Sequence, residues 1–120
     1  MIELARRYGE GPVSLTQVAD TGNLPRPYLE RIMPFLRHAG LLTSVRGAHG
    51  GYMLARPPRE IQVSTILRAL EGQLLALDCI SAADTCENVS VCAAREVWRR
   101  VFESIEKTLD SITLADIISA

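Results

Sequence analysis

Residues 14–54 decide the fold, and they read SLTQVADTGNLPRPYLERIMPFLRHAGLLTSVRGAHGGYML. At the start of this stretch, Ser14 and Gln17 have the spacing of a capping box, in which each side chain accepts a hydrogen bond from the other residue's backbone N–H. We therefore expect a short helix from Ser14 through Ala19. Thr21-Gly22-Asn23 then ends this helix, because these residue types favour turns.

A second helix is predicted to follow the turn at once. Leu24-Pro25-Arg26-Pro27-Tyr28 begins it, since proline is tolerated in a first helical turn. Pro34 lies inside the helix and lacks a backbone donor, so we expect a kink between Glu30 and Pro34. Apolar residues at helical spacing continue the helix to Gly40: Leu29, Ile32, Met33, Leu36 and Ala39. Two helices joined by a tight turn make a helix-turn-helix.

A β-hairpin is predicted directly after the two helices. Residues 41–45 and 52–54 are β-type runs, and residues 46–51, RGAHGG, have the composition of a turn. A helix-turn-helix followed by a hairpin is a winged helix. The predicted fold class is therefore mainly α, with a winged helix-turn-helix DNA-binding domain, a small β-hairpin wing and a long C-terminal dimerisation helix.

The long helix is predicted from about residue 90 to residue 110. Apolar residues recur along it at spacings of three and four and form one stripe: Val91, Ala94, Trp98, Val101, Phe102, Ile105 and Leu109. Only a short helix from Thr113 to Ser119 follows, with Thr113 and Asp116 in capping-box positions, so little chain remains to cover the stripe. We expect a homodimer that presents two recognition helices to a palindromic site, with this interface: Trp98, Val101, Phe102, Ile105 and Leu109.

Two shorter helices complete the predicted elements. Apolar residues from Met1 to Tyr8 have helical spacing and stop at Gly9–Pro12, and residues 63–70 form an amphipathic helix ended by Gly72. Because Met1 lies within the apolar face of the first helix, we expect that helix to be a shortened version of a longer one.

The three cysteines of the chain, Cys79, Cys86 and Cys92, lie on one segment of small and polar residues that is predicted to be a loop. Three thiolates on one loop are typical of an iron-sulfur site, because its irons prefer soft ligands. Three unrelated buried or redox-active cysteines are the alternative, and zinc is disfavoured by the wide spacing and the distant histidines, His38 and His49. The odd number disfavours a secreted disulfide framework.

Length and charge indicate one domain whose halves differ. The chain has 120 residues, and residues 1–60 carry eight Lys/Arg against five Asp/Glu, a net +3, whereas residues 61–120 carry five against nine, a net −4. We assign residues 1–60 to the DNA-binding region and 61–120 to the cluster-binding loop and dimerisation helix. With no signal peptide or apolar span, the chain is expected to be cytoplasmic, without a membrane partner. The absence of a His/acid constellation beside the cysteines disfavours an enzyme or electron carrier.

Double-stranded DNA is the expected partner of the basic half. Side chains at the start of a recognition helix reach base edges, and a wing arginine can enter a narrow minor groove. Glu30 contributes to specificity if it accepts a hydrogen bond from a cytosine amine. Glycines at the hairpin tip let the backbone approach phosphate. The expected DNA-contacting residues are Arg26, Tyr28, Glu30, Arg31, Arg46, Gly47, Gly50 and Gly51.

The ordered set of these motifs resembles the iron-sulfur winged helix-turn-helix transcription regulators typified by IscR, NsrR and RirA, and it is nearest to the IscR-like members. The resemblance covers nearly the whole chain and rests on these segments: Pro12–Leu15, Tyr28–Glu30, Leu36–Leu41, Val45–Gly47, Gly50–Tyr52, the cysteine loop, Val97-Trp98 and Ile112–Leu114. It implies a bacterial homodimeric regulator, usually a repressor, with Cys79, Cys86 and Cys92 as ligands of a cluster. The resemblance favours [2Fe-2S], and [4Fe-4S] is the second possibility.

The chain departs from that family pattern at three places. Arg95 stands where IscR has a histidine, and a guanidinium does not ligate a metal. NsrR-type members take a carboxylate from the partner's N-terminal helix, of which this chain is expected to lack roughly a dozen residues, or about three turns. Pro27 replaces a small polar residue in the recognition helix. The candidates for the fourth ligand are Asp78, Asp84, Glu87 and Glu96, and a cluster-free thiol-redox or nitric-oxide sensor of the same fold is the alternative function.

Overall fold

Helices make up most of the structure, and one short hairpin interrupts their order. The computed structural model describes residues 1–71 and 93–119. The described elements, in chain order, are α1 (Ile2–Arg6), α2 (Leu15–Gly22), α3 (Arg26–His38), β1 (Leu42–Val45), β2 (Gly51–Leu54), a 3-10 turn (Pro58–Glu60), α4 (Val63–Glu71), α5 (Ala93–Ser111) and α6 (Leu114–Ser119). The predicted fold class, a mainly helical winged helix with a long C-terminal helix, is confirmed.

The capping box predicted at the start of α2 is present. Gln17 N–H donates to Ser14 Oγ at 3.1 Å, and Ser14 N–H donates to Gln17 Oε1 at 3.0 Å. The predicted end at Ala19 is wrong, because α2 continues to Gly22. Asn23 ends it in the left-handed conformation with φ of 50°, which lets Leu24 N–H donate to Ala19 O at 3.0 Å. The extra turn brings α2 to within a few residues of α3, as a helix-turn-helix requires.

Helix α3, the second helix of the helix-turn-helix, begins and ends with ordinary helix signals. Pro25 is its N-cap residue, and the helix contains Pro34 without ending there. At its C-terminus, Gly40 has φ of +77°, and Leu41 N–H donates to Leu36 O at 3.0 Å, which is a Schellman motif. This motif turns the chain directly into β1.

The wing is a two-stranded antiparallel sheet in which Leu42 pairs with Leu54 and Val45 pairs with Gly51. A third segment, which the sequence did not indicate, is joined to its edge: Val13 and Tyr52 exchange both backbone hydrogen bonds at 2.8 Å. At this close approach a Cβ on Gly51 would overlap the carbonyl of Val13. The wing is therefore held against the residue that precedes α2.

One hydrophobic core connects the helix-turn-helix, the hairpin and the C-terminal helix. Leu29, Met33 and Leu36 bury one face of α3 against it. The other buried apolar residues are Leu4, Ala5, Val13, Val18, Ala19, Leu41, Leu42, Leu54, Ile61, Ile66 and Leu114. The core thus includes residues from both ends of the described chain.

Backbone hydrogen bonds join the start of the last helix, α6, to the segment that precedes α4. Leu114 N–H donates to Ile61 O and Val63 N–H donates to Ile112 O, both at 2.9 Å. The predicted Thr113–Asp116 capping box is present, with Thr113 N–H donating to Asp116 Oδ2 at 2.8 Å and Asp116 N–H donating to Thr113 Oγ1 at 3.3 Å. The hydrogen bonds that the Asp116 carboxylate accepts from the backbone N–H and the hydroxyl of Thr113 lower its pKa. Consequently, the short segment between α5 and α6 is held by backbone hydrogen bonds to the segment before α4 and by the capping box of α6.

The long helix α5 packs against α4, and the basic side chain of Arg68 on α4 forms ion pairs across this contact. Arg68 Nη2 lies 3.8 Å from Glu106 Oε1 and 3.5 Å from Asp110 Oδ1, near the C-terminal end of α5. Ala93 is thirteen residues before Glu106, so about 20 Å of helix extends beyond this contact. Among the described helices, none has the length and apolar character needed to cross a membrane.

Candidate nucleic-acid interface and cysteine segment

The outward face of α3 is polar and mostly basic. Four basic side chains lie on this helix against the single acid Glu30, and all five are exposed: Arg26, Glu30, Arg31, Arg37 and His38. A helix of thirteen residues is about 20 Å long and has the diameter that a major groove admits. The face opposite the buried leucines can therefore approach a polyanion without an unfavourable net charge.

Two contacts order the N-terminal part of that face. The guanidinium of Arg31 lies over the ring of Tyr28, 5.8 Å from its centroid. Arg26 Nε lies 3.4 Å from Glu30 Oε1, one helical turn away. Stacking restricts the rotamers of Arg31, and the ion pair offsets the charge of Glu30. The predicted residues Arg26, Tyr28, Glu30 and Arg31 thus lie together on the exposed start of α3.

The wing carries Arg46 directly after β1, the strand that packs against α3. Arg46 is exposed and has no ion-pair or hydrogen-bond partner among the described residues. Arg37 Nη1 donates to Ser44 Oγ at 3.3 Å and so joins α3 to β1. Sequence reasoning missed Arg37 because no local pattern indicates a contact between a helix and a later strand.

Backbone conformation and close backbone contacts require glycine at three positions of the wing. A Cβ on Gly50 would overlap the carbonyl oxygen of Val45, and Gly51 lies against Val13. Gly47 has φ of +115°, which L-residues with side chains rarely adopt. These positions are constrained to glycine by the hairpin, and their contact with DNA stays a prediction.

The predicted cluster ligands Cys79, Cys86 and Cys92 lie outside the described residues, as do Asp78, Asp84 and Glu87. These cysteines belong to the stretch of sequence that joins α4 to α5. Within the described part of the chain, no group of three or more His, Cys, Asp or Glu side chains could hold a metal ion.

Glu96 is the one candidate fourth ligand that the structure describes. Arg99 Nε and Nη2 donate to its two carboxylate oxygens at 3.0 and 2.6 Å, and Arg100 Nε donates to Oε1 at 3.2 Å. The hydrogen bonds from Arg99, then those from Arg100, lower the pKa of Glu96 to about 2. Both oxygens are thus already engaged by guanidinium groups within α5.

The apolar stripe of α5 lies exposed in this single chain. Trp98, Val101 and Ile105 keep 48, 39 and 37% of their surface accessible, and Phe102 and Leu109 are half-buried. Val97, which is not part of the stripe, is 60% exposed. The rings of Trp98 and Phe102 contact each other at 6.2 Å between centroids. Val91 lies outside the described residues. The charged network of Glu96, Arg99 and Glu103 lies on another face of the helix, and the dimer interface stays a prediction.

An apolar groove of about 430 Å³ lies among α1, α2, α4 and α6. Its walls are aliphatic, for example Val18, Ile66 and Ile117, and its acid Glu3 is paired with Arg7 at 2.7 Å. The described side chains that line the groove therefore provide no acid-base pair and no nucleophile for catalysis.

Sequence comparison gives the family of the chain and its relatives. The family profile described as Rrf2, an iron-dependent transcriptional regulator, matches residues 1–120. The HTH-type transcriptional regulator CymR of Bacillus subtilis strain 168 is 42% identical over 119 residues, which are 99% of this chain and 81% of that relative.

Solved structures of regulators have the same fold. CymR (YrzC), the global cysteine regulator of B. subtilis, matches with a TM-score of 0.81 and 42% identity over 98% of this chain and 86% of that chain. IscR of T. potens matches with a TM-score of 0.79 and 47% identity over 98% and 77% of the two chains. The oxidized form of Staphylococcus aureus CymR matches with a TM-score of 0.74 and 35% identity over 99% and 86%.

These relatives are regulators of transcription, so the expectation that the chain is not an enzyme is confirmed. The suspected resemblance to IscR-like regulators is confirmed as well, with CymR as a further relative. The chain belongs to the Rrf2 family of helix-turn-helix transcriptional regulators.

Proposed function

We propose that this chain is a dimeric DNA-binding regulator, acting as a repressor, whose affinity for a palindromic operator depends on an iron-sulfur cluster held by Cys79, Cys86 and Cys92. The DNA-binding part of the proposal is supported by the exposed basic face of α3 and by Arg46 of the wing, which is exposed and has no ion-pair or hydrogen-bond partner among the described residues. A basic helix beside a basic hairpin tip fits a major groove and the adjacent minor groove or backbone.

The proposed interface makes two kinds of contact with DNA, one to base edges and one to the backbone or minor groove. Arg31, held over Tyr28, presents a planar pair of donors suited to guanine, and Arg46 supplies positive charge at the backbone or minor groove. When a cytosine amine replaces Arg26 as its partner, Glu30 contributes to specificity rather than affinity. The hydrogen bond from Arg37 to Ser44 joins α3 to β1 of the wing.

The dimer follows from the exposed stripe of α5. Three large apolar side chains of the stripe, Trp98, Val101 and Ile105, lie exposed at helical spacing on a single chain and lose contact with water if a second copy covers them. A two-fold pair of such chains places two α3 helices at a fixed separation. Half-site spacing in the operator then depends on how each α5 joins its own α4.

The cysteine segment is suited to sensing by its chemistry and by its place in the chain. Three thiols in one segment fit the donor set of an iron-sulfur cluster, and one further group completes the shell. When bound, the cluster supplies sensitivity to iron, oxygen or nitric oxide through its assembly and loss. In sequence, the thiols stand between α4, which contacts α3, and α5, which we assign to the dimer. A change of the segment therefore acts between the recognition helices and the dimer interface.

A cluster-free thiol sensor is the second candidate. It is favoured by the relative described as a global cysteine regulator and by the structure of an oxidized CymR, at 42 and 35% identity respectively. The same three cysteines would then act through their own oxidation state.

The absorption spectrum of anaerobically purified protein separates the two candidates. The iron-sulfur proposal predicts visible absorption bands together with iron and sulfide in the sample, and loss of both in Cys86→Ala. A colourless protein that still responds to thiol oxidants in a DNA titration would support the thiol sensor instead.

The DNA interface is tested by three variants at one salt concentration. Arg46→Ala is expected to weaken binding by about 1–3 kcal/mol, whereas Glu30→Ala is expected to relax specificity at one base pair. Arg59→Ala removes an equal charge from an exposed site on the 3-10 turn and serves as the matched control. Equal affinities for Arg46→Ala and Arg59→Ala would remove the wing from the interface.

A further inference from the structure

Phe35 is the most exposed aromatic residue of α3, with 56% of its surface accessible. It is four residues after Arg31 and seven after Tyr28, so the three side chains lie on neighbouring positions of one helix face. The opposite face holds the buried Leu29 and Met33. Phe35 thus extends the line of exposed side chains along the recognition helix by one turn.

The chemistry of this face favours DNA as the occupant that covers Phe35. Arg31 and His38 stand one turn before and one turn after it on an exposed, mostly basic helix. Along the helix axis, Phe35 is about 6 Å from Arg31, close to two base-pair steps of about 3.4 Å. Within a major groove, the apolar group that an aromatic ring can contact is the C5 methyl of thymine.

We propose that Phe35 is a specificity-determining residue that packs against the C5 methyl of a thymine in each half-site of the operator. This inference rests on the DNA-binding function proposed above and adds a base preference to it. Arg31 selects a base by hydrogen bonds, whereas Phe35 selects thymine over cytosine by apolar contact near the same pair of steps.

The test is a set of titrations on a duplex that the wild-type protein selects from a random pool. Each thymine of the half-site is replaced in turn by deoxyuridine, which removes the methyl and keeps the base pairing. At one thymine, wild-type affinity is expected to fall about fourfold per half-site, the equivalent of about 0.8 kcal/mol for a lost methyl contact. Phe35→Ala is expected to bind the thymine and deoxyuridine duplexes equally at that position, and Phe35→Leu to restore part of the difference.

Tyr8→Ala is the control, because Tyr8 is also an exposed aromatic residue, at 48%, and lies outside α3. It is expected to respond to deoxyuridine as the wild type does. Undiminished sensitivity of Phe35→Ala to every thymine replacement would overturn the inference and leave the ring available to a protein partner. A wild-type protein that selects no duplex over random DNA would overturn the DNA-binding proposal itself, and with it this inference.

Discussion

Val101→Glu tests whether the exposed stripe of α5 is the dimer interface. Val101 is near the middle of the stripe, between Trp98 and Ile105, and keeps 39% of its surface accessible in the single chain. In the monomer a carboxylate at this position stays in contact with water. In a two-fold dimer, each protomer would place one unpaired carboxylate in the interface.

The expected loss of dimerisation free energy follows from the two unpaired carboxylates in each dimer. Leaving one charge buried without a partner costs about 3 kcal/mol or more, so two per dimer cost about 6 kcal/mol. A loss of this size raises the dimer dissociation constant roughly ten-thousand-fold. Since Val101 is not in the core of the single chain, the thermal unfolding of the α1–α4 region should change little.

Analytical ultracentrifugation across a concentration series measures the effect, with binding to a palindromic duplex as the second readout. Lys107→Glu is the control, because it places a carboxylate at an exposed site on the same helix, away from the stripe, and its charge change of −2 exceeds the −1 of Val101→Glu. Val101→Glu is expected to sediment as a monomer and to lose cooperative binding to the palindrome. A Val101→Glu protein that sediments as the wild type does would refute the assignment of the stripe to the dimer.

Three further predictions concern the fold. Gly51→Ala is expected to destabilise the wing by about 1–3 kcal/mol in thermal melts, because its Cβ overlaps the Val13 carbonyl, and an unchanged melting temperature would contradict this contact. Ser64→Ala is expected to be neutral or to stabilise the protein by up to about 1 kcal/mol, since the buried Ser64 hydroxyl has no partner among the described residues, and a clear loss of stability would mean that the hydroxyl is hydrogen-bonded. The pKa of Glu96 is lowered from 4.5 to about 2, so its pairing with Arg99 is fully present above about pH 4.5 and is lost as pH falls through about 2. Between pH 4.5 and 2, helicity followed by circular dichroism should therefore fall less in Glu96→Gln than in the wild type. Identical acid titrations of the two proteins would contradict the pairing.

Local signals predicted the elements of the fold well. Ser14 and Gln17 specify the start of α2, and Thr113 and Asp116 specify the start of α6, because a capping box is formed by residues three apart. The end of α2 was misplaced by three residues, since Thr21 and Gly22 favour turns but Asn23 is the residue that adopts the left-handed conformation. Residue propensities indicate the region in which α2 ends, but the exact last residue depends on the hydrogen bonds that form there.

Contacts between distant residues could not be predicted in the same way. The pairing of Val13 with Tyr52 and the return of Leu114 to Ile61 join segments about 40 and 50 residues apart, and no local period encodes such pairs. The same distinction between local and long-range information applies to the candidate DNA interface. The start of α3 and the wing were found from sequence, whereas the Arg37–Ser44 link and the exposure of Phe35 needed the folded chain.

Regulation of DNA binding by the cysteine segment can be measured in one titration. Cluster-loaded wild type, apo wild type and Cys86→Ala are titrated with the same palindromic duplex at fixed salt, with Ser81→Ala as a control that keeps all three thiols. We expect apo wild type and Cys86→Ala to share one affinity or site preference, and cluster-loaded wild type and Ser81→Ala to share another. Identical curves for all four proteins on every duplex would contradict this regulation.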